Sequence, residues 1–256
     1  VAAIGLIGGV LLGLAARLGR FCTLGAIEDA LYQRSDLRLR MWVLAIGVSG
    51  LLSYILVHLG ALDPRQTIYH LAPFSPIASI LGGLLFGYGM SIAGNCGFGA
   101  LARFGGGDLR SFVIVLVMGI SAYVMLSGPL APLRVSFVEA TAIRSDLRSF
   151  PQLLQSFFAV PSVVWGLFIS AIITACALGS RTFLRNRRAV FWSLVVGFAI
   201  ATGWAGTQWV ARDGFSLVAV ESHSFTAPLG QTLIYLMTSS GGGLTFGVGS
   251  VFGVLA

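Results

Sequence analysis

Apolar residues in this chain come in long unbroken runs, neither alternating nor confined to one helical face. The runs lie at about 2–19, 41–62, 76–93, 110–128, 160–180, 189–210 and 229–240, and an eighth begins near 243. Most approach the ~20 residues needed to cross ~30 Å of hydrocarbon. Polar residues gather between the runs with the punctuation of loops: Asp63-Pro64, Pro73 with Pro76, Gly128-Pro129 with Pro132, and Pro151. The pattern predicts an all-α polytopic membrane protein with a single transmembrane domain over 1–256. The last run breaks off at Ala256 and the chain opens on Val1 rather than Met, so a truncated C-terminus is expected.

Composition agrees. Apolar residues make up 56% and charged residues 10%, with a mean hydropathy of +0.90, against roughly 25% charged residues in average soluble domains. Soluble dehydrogenases, kinases and hydrolases are excluded. The net charge of +7 does not indicate a nucleic-acid partner, because the basic residues sit in short connectors between apolar runs. All 16 basic residues are Arg, whose planar fork suits oxyanions and carboxylates; a GC-rich genome gives the same bias. If the connectors alternate sides, eleven Arg fall on one side and five (Arg65, Arg134, Arg144, Arg148 and Arg212) on the other. The excess of positive charge on the cytoplasmic side then places the N-terminus outside the cytoplasm.

The chain overlays on itself when shifted by 74 residues. Ile7–Gly13 matches Leu81–Gly87, and Cys22-Thr23-Leu24-Gly25-Ala26-Ile27 matches Cys96-Gly97-Phe98-Gly99-Ala100-Leu101 without a gap. Seven residues over positions 7–27 are identical: Gly8, Gly9, Leu11, Gly13, Cys22, Gly25 and Ala26. The expected units are about 5–62 and 79–128, with further spans over about 160–256. Each unit reads as a glycine-striped span, a cysteine-led segment and a second span. An even number of crossings per unit makes the repeats parallel, and repeat interfaces are where transporters place their substrate sites. Residues 21–32 and 96–104 are too short to cross and too apolar for ordinary loops. They are expected to enter the membrane and return, which is tolerated where protein covers the backbone or water lines it.

Cys22 and Cys96 occupy one position of the repeat, next to glycine, at the mouth of such a segment. Cys176, in Ala-Cys-Ala, fits a small packing residue. Gly97 and Gly99 permit close approach of a ligand to backbone N–H groups, and a helix starting after the cysteine favours an anion there. Asn95 adjoins Cys96. Arg20 and Arg103 either draw in an anion or anchor the chain at the interface. Asp29 and Asp108 are expected to pair with nearby Arg. Ser224 and Thr226 lie in a polar patch that is either a capped loop or the lining of a vestibule. Gly5, Gly8, Gly9, Gly13, Gly82, Gly83 and Gly87 are expected to let spans pack closely. No enzyme motif or metal-ligand spacing is present, so neither catalysis nor a cofactor is expected.

Gly19-Arg20-Phe21-Cys22-Thr23-Leu24-Gly25-Ala26, Gly94-Asn95-Cys96-Gly97-Phe98-Gly99 and Ser224-Phe225-Thr226-Ala227-Pro228 resemble the YeeE/YedE sulphur-transport family. The resemblance implies a bacterial inner-membrane protein with two pseudo-symmetric halves and short re-entrant helices. It implies uptake of thiosulfate or a related sulfur anion through a constriction where Cys22 and Cys96 handle the substrate. A cytoplasmic sulfur-carrier partner is implied in the same way. The family's further G-C-x-x-G-Q segment near the C-terminus has no counterpart in this sequence. On this expectation the outer Arg residues concentrate the anion, backbone N–H groups beside Gly97 and Gly99 replace part of its hydration, and neutral thiols meet its terminal sulfur. The alternatives are a sulfur-relay enzyme working through cysteine persulfides and a channel for another small solute.

Overall fold

The hydropathy runs become helices in a computed structural model that describes residues 1–71, 74–143, 149–158, 160–213, 218–238 and 243–256. In chain order these are α1 (Ala2–Arg17), α2 (Thr23–Leu31), α3 (Leu37–His58), α4 (Ile68–Leu71), α5 (Pro76–Ala93), α6 (Gly97–Gly105) and α7 (Leu109–Leu126). There follow α8 (Ala131–Ala140), α9 (Phe150–Phe157), α10 (Ser162–Leu178), α11 (Arg181–Arg185), α12 (Arg187–Asp213), α13 (Thr226–Thr238) and α14 (Phe246–Leu255). Among the described residues, four stretches are long and apolar enough to cross a membrane: Leu37–His58, Pro76–Gly105, Leu109–Leu126 and Arg187–Asp213. The other runs form shorter helices because local signals cut them. Pro161 and Gly179 bound α10, and the Thr245 hydroxyl accepts from Val248 N–H to start α14.

The chain divides into two compact units. One comprises Leu11–His70 and Asp146–Ser222; the other comprises Val1–Val10, Leu71–Ser145 and His223–Ala256. In the first unit α3 is the common partner of α2, α10 and α12. Small residues let these helices approach. A Cβ on Gly47 would stand 2.8 Å from the Thr174 backbone nitrogen, and one on Gly197 would stand 2.9 Å from Val48. Arg40 donates from Nη1 to the carbonyl oxygens of Cys176 and Ala177, at 2.9 and 3.3 Å, capping the open end of α10. Fully buried Gln208 is satisfied twice: its Oε1 accepts from Asp63 N–H at 3.1 Å, and its Nε2 donates to Gln66 Oε1 at 3.0 Å. Thr207, also fully buried, donates to the Glu221 carbonyl at 2.8 Å.

In the second unit α7 packs on α6, α8 and α13, and α14 packs on α6 and α13. The first turns of α1 lie directly on α14. At Gly5, Gly9, Gly249 and Gly253 a Cβ would collide with the facing backbone, so these positions are restricted to glycine by contact. Gly8 faces a side chain instead, leaving the space that the His223 ring fills. His223 is held by Ser250 Oγ at 2.6 Å from Nδ1 and by the Phe246 ring at 4.8 Å, while its buried Nε2 has no partner among the described residues.

The glycines of α5 do not follow this pattern. Nothing lies within 4 Å of a Cβ placed on Gly82, Gly83, Gly87 or Gly89. The close packing expected at Gly82, Gly83 and Gly87 is therefore absent among the described residues, where no other helix seats against that face; Leu84, Leu85, Tyr88 and Ile92 around it are exposed.

Candidate functional site

The Cys22 segment belongs to the first unit. Helix α1 ends near Arg17, and the chain reverses through Arg20, whose φ of +55° is left-handed. Phe21 then buries its ring against Trp42, with centroids 4.4 Å apart. Cys22 is extended (φ −142°, ψ 129°) and is the N-cap of α2; its carbonyl accepts from Ala26 N–H at 3.0 Å. Among the described residues its thiol makes no cap hydrogen bond to the first turn of α2. Asp29, on α2, pairs with Arg38 at 2.9 Å.

A non-glycine residue in the left-handed region costs about 1–2 kcal/mol. Arg20→Gly is therefore expected to raise the unfolding free energy by about 1 kcal/mol, read from thermal unfolding in detergent. A fall in stability would instead show that the Arg20 side chain supports the turn.

The Cys96 segment belongs to the second unit. Helix α5 stops at Gly94, left-handed at φ +66°, and Asn95 follows with only 5% of its surface exposed. Cys96 is the N-cap of α6, and its Sγ accepts from Gly99 N–H at 3.3 Å. That bond engages a sulfur lone pair and leaves the S–H free to donate elsewhere. It also occupies the Gly99 N–H that the sequence assigns to a ligand. Gly97 is buried, and a Cβ there would lie 2.7 Å from the Met118 methyl group. Asn95 Oδ1 is buried without a partner among the described residues. A Cβ on Gly99 would be 3.7 Å from that oxygen and 3.5 Å from Cys96 Sγ.

Phe98 stacks on Phe225 with centroids 5.1 Å apart, bringing the Ser224–Thr226 segment to the start of α6. The Ser224 and Thr226 hydroxyls make no hydrogen bond among the described residues. Arg103 is exposed in the last turn of α6, at the far end from Cys96. Among the described residues Asp108 pairs with no Arg side chain; it caps α7, accepting from Arg110 N–H at 3.0 Å and from Ser111 Oγ at 2.8 Å. The Ser111 bond foremost holds the Asp108 carboxyl below its ordinary range, and burial pushes that of Glu221 above it. Among the Arg residues expected on the outer side, Arg134 donates from Nε to the Met125 carbonyl at 3.0 Å, and Arg144 and Arg148 lie outside the described residues. Among the described residues no three His, Cys, Asp or Glu side chains form a metal-ligating group.

The Asp29–Arg38 pair, expected from the sequence, forms across a turn in which Arg34 is left-handed at φ +52°. The His223–Ser250 pair joins residues distant in the chain and has no signal in the sequence.

Cys22 and Cys96 thus each head a helix of nine residues, Thr23–Leu31 and Gly97–Gly105, within a chain whose long apolar helices define a multi-pass membrane protein. The chain belongs to the Sulphur transport family, which matches it over residues 18–256. It is 29% identical over 124 residues to the thiosulfate transporter TsuA of Spirochaeta thermophila, a match covering 48% of this chain and 36% of that protein. It is 30% identical over 123 residues to the thiosulfate transporter TsuA of Escherichia coli, covering 48% of this chain and 34% of that protein. The chain spans about a third of the length of these curated relatives.

Proposed function

We propose that this protein takes up thiosulfate across the bacterial inner membrane, with each cysteine-capped helix receiving the ion in turn. The observation that carries this reading is the pair of short helices headed by Cys22 and Cys96. Their bounds differ by the same 74 residues as the sequence overlay, and Arg20 and Gly94, at equivalent positions, are both left-handed. These features support a parallel repeat of span, re-entrant segment and span. A nine-residue helix is only about 14 Å long, less than half the hydrocarbon thickness.

Thiosulfate is a dianion, and the barrier to its passage is desolvation of charge. A helix N-terminus lowers that barrier with aligned N–H groups. At Cys96 the thiol adds a donor, its sulfur already fixed by Gly99 N–H. Rotated half a turn about its last bond, the Asn95 amide presents N–H groups where the orphaned oxygen now lies. The Arg distribution supports an outside N-terminus, and chemistry at the thiols is not required for passage.

The test is uptake of thiosulfate labelled at its outer sulfur into proteoliposomes. Accumulation of intact ion is expected. Failure of well-folded protein to accumulate it would overturn the reading, and label retained as persulfide on cysteine would point to sulfur relay instead.

A further inference from the structure

The two cysteine-headed helices differ in what stands beside the glycine of the first turn. At the start of α6 the groups flanking Gly99 are uncharged: Cys96 Sγ and Asn95 Oδ1, 3.5 and 3.7 Å from where its Cβ would be. At the equivalent Gly25 of α2 the missing Cβ leaves a gap occupied by Nη1 of Arg38, and the Cys22 Cβ lies 3.7 Å from the same point. A guanidinium therefore reaches into the first turn of the helix that Cys22 caps.

Its orientation is set by Asp29. That carboxylate, on a residue only 7% exposed, takes the guanidinium through Nε at 2.9 Å. The contact uses one edge of the fork, and neither Nη has a hydrogen-bond acceptor among the described residues. A forked guanidinium with free terminal N–H groups matches two oxygens of an oxyanion. The ion pair is formally neutral, so attraction comes from directed N–H donors and from the N-terminal end of α2.

We propose that Arg38, positioned by Asp29, is the oxyanion-binding group of the Cys22 site. It holds the sulfonate oxygens of a small sulfur oxyanion and leaves the terminal sulfur facing the thiol. The proposal rests on the reading of Cys22 as a substrate-handling residue.

The test uses the full chain with Cys96→Ser and Cys176→Ser, so that Cys22 is its one thiol. The rate of Cys22 modification by N-ethylmaleimide is measured against added sodium sulfate or sodium thiosulfate at constant ionic strength. Both anions are expected to slow modification. Arg38→Gln is expected to raise the half-protecting concentration about tenfold or more, the scale of a hydrogen bond to a charged group, and Arg38→Lys to recover part of it. Because Arg38→Gln leaves Asp29 unpaired, Asp29→Asn/Arg38→Gln is measured beside it, with thermal unfolding confirming the fold of each. Equal protection with and without Arg38 overturns the proposal, as does absence of protection or of modification in the parent. Uptake by liposomes with no role for Arg38 in protection would sink this inference alone. Arg38-dependent protection without uptake would sink the transport reading alone.

Discussion

Cys96→Ala is expected to lower the initial rate of thiosulfate uptake at least tenfold, with the amount of protein in the membrane unchanged. The substitution removes a donor that meets a desolvated dianion, and a hydrogen bond to a charged group contributes about 1.5–3 kcal/mol, or roughly 10- to 100-fold in rate. Cys96 is 6% exposed and its sulfur is held by Gly99 N–H at 3.3 Å, so the thiol has a defined direction before any ion arrives. Cys96→Ser separates two roles. Serine is a stronger N-cap than alanine by about 1 kcal/mol, so this variant should match or exceed the wild type in thermal stability. Its hard, smaller oxygen should still fail to replace sulfur against the soft end of thiosulfate. Full uptake by Cys96→Ser would remove sulfur from the mechanism and favour a channel for another solute. Cys22→Ala is expected to reduce uptake in the same assay.

The largest expected effect on stability comes from Gly253→Val. A Cβ at this position would collide with the Leu6 carbonyl and come within 3.0 Å of Val10 N and Gly9 Cα, all of them backbone. Rigid backbone cannot yield as a flexible side chain can, so α1 and α14 must separate, at a cost of about 3 kcal/mol or more. The check is the thermal unfolding midpoint and the folded fraction recovered in detergent. Gly82→Ala on α5 is the control. With nothing within 4 Å of that site, alanine should bring only its helix propensity, about 1 kcal/mol in favour of the variant. A clear loss of stability in Gly82→Ala would show that this face of α5 is covered by something in solution.

The contrast between these two glycines shows what hydropathy and spacing can carry. Gly8 and Gly82, or Gly9 and Gly83, are equivalent in the sequence and indistinguishable by neighbours. Yet Gly8 makes room for the His223 ring and Gly9 meets Ser250, while Gly82 and Gly83 meet nothing. Both cysteine-led segments were legible as short elements distinct from the long spans, because glycine, the following polar residues and the segment length act locally. Arg38 was not legible as a neighbour of Cys22. It stands sixteen positions along, and only the path of the chain between α2 and α3 brings its guanidinium to Gly25. Asp108 stands near two Arg in sequence, but its carboxylate is taken by the start of its own helix at Arg110 and Ser111.

Segment hydrophobicity, caps and turn residues are properties of a few adjacent positions. Their free energies are settled whether or not the rest of the chain is folded. For this reason the sequence by itself determined the helical membrane class, the placement of the apolar elements and the two cysteine positions. Helix contacts and ion pairs depend on which backbones come within a few ångströms of each other, and this is decided only when the elements pack. The tertiary structure alone therefore decided which glycines are contacts, that Phe98 meets Phe225, and that one of the two cysteine-capped helices has a guanidinium against its first turn.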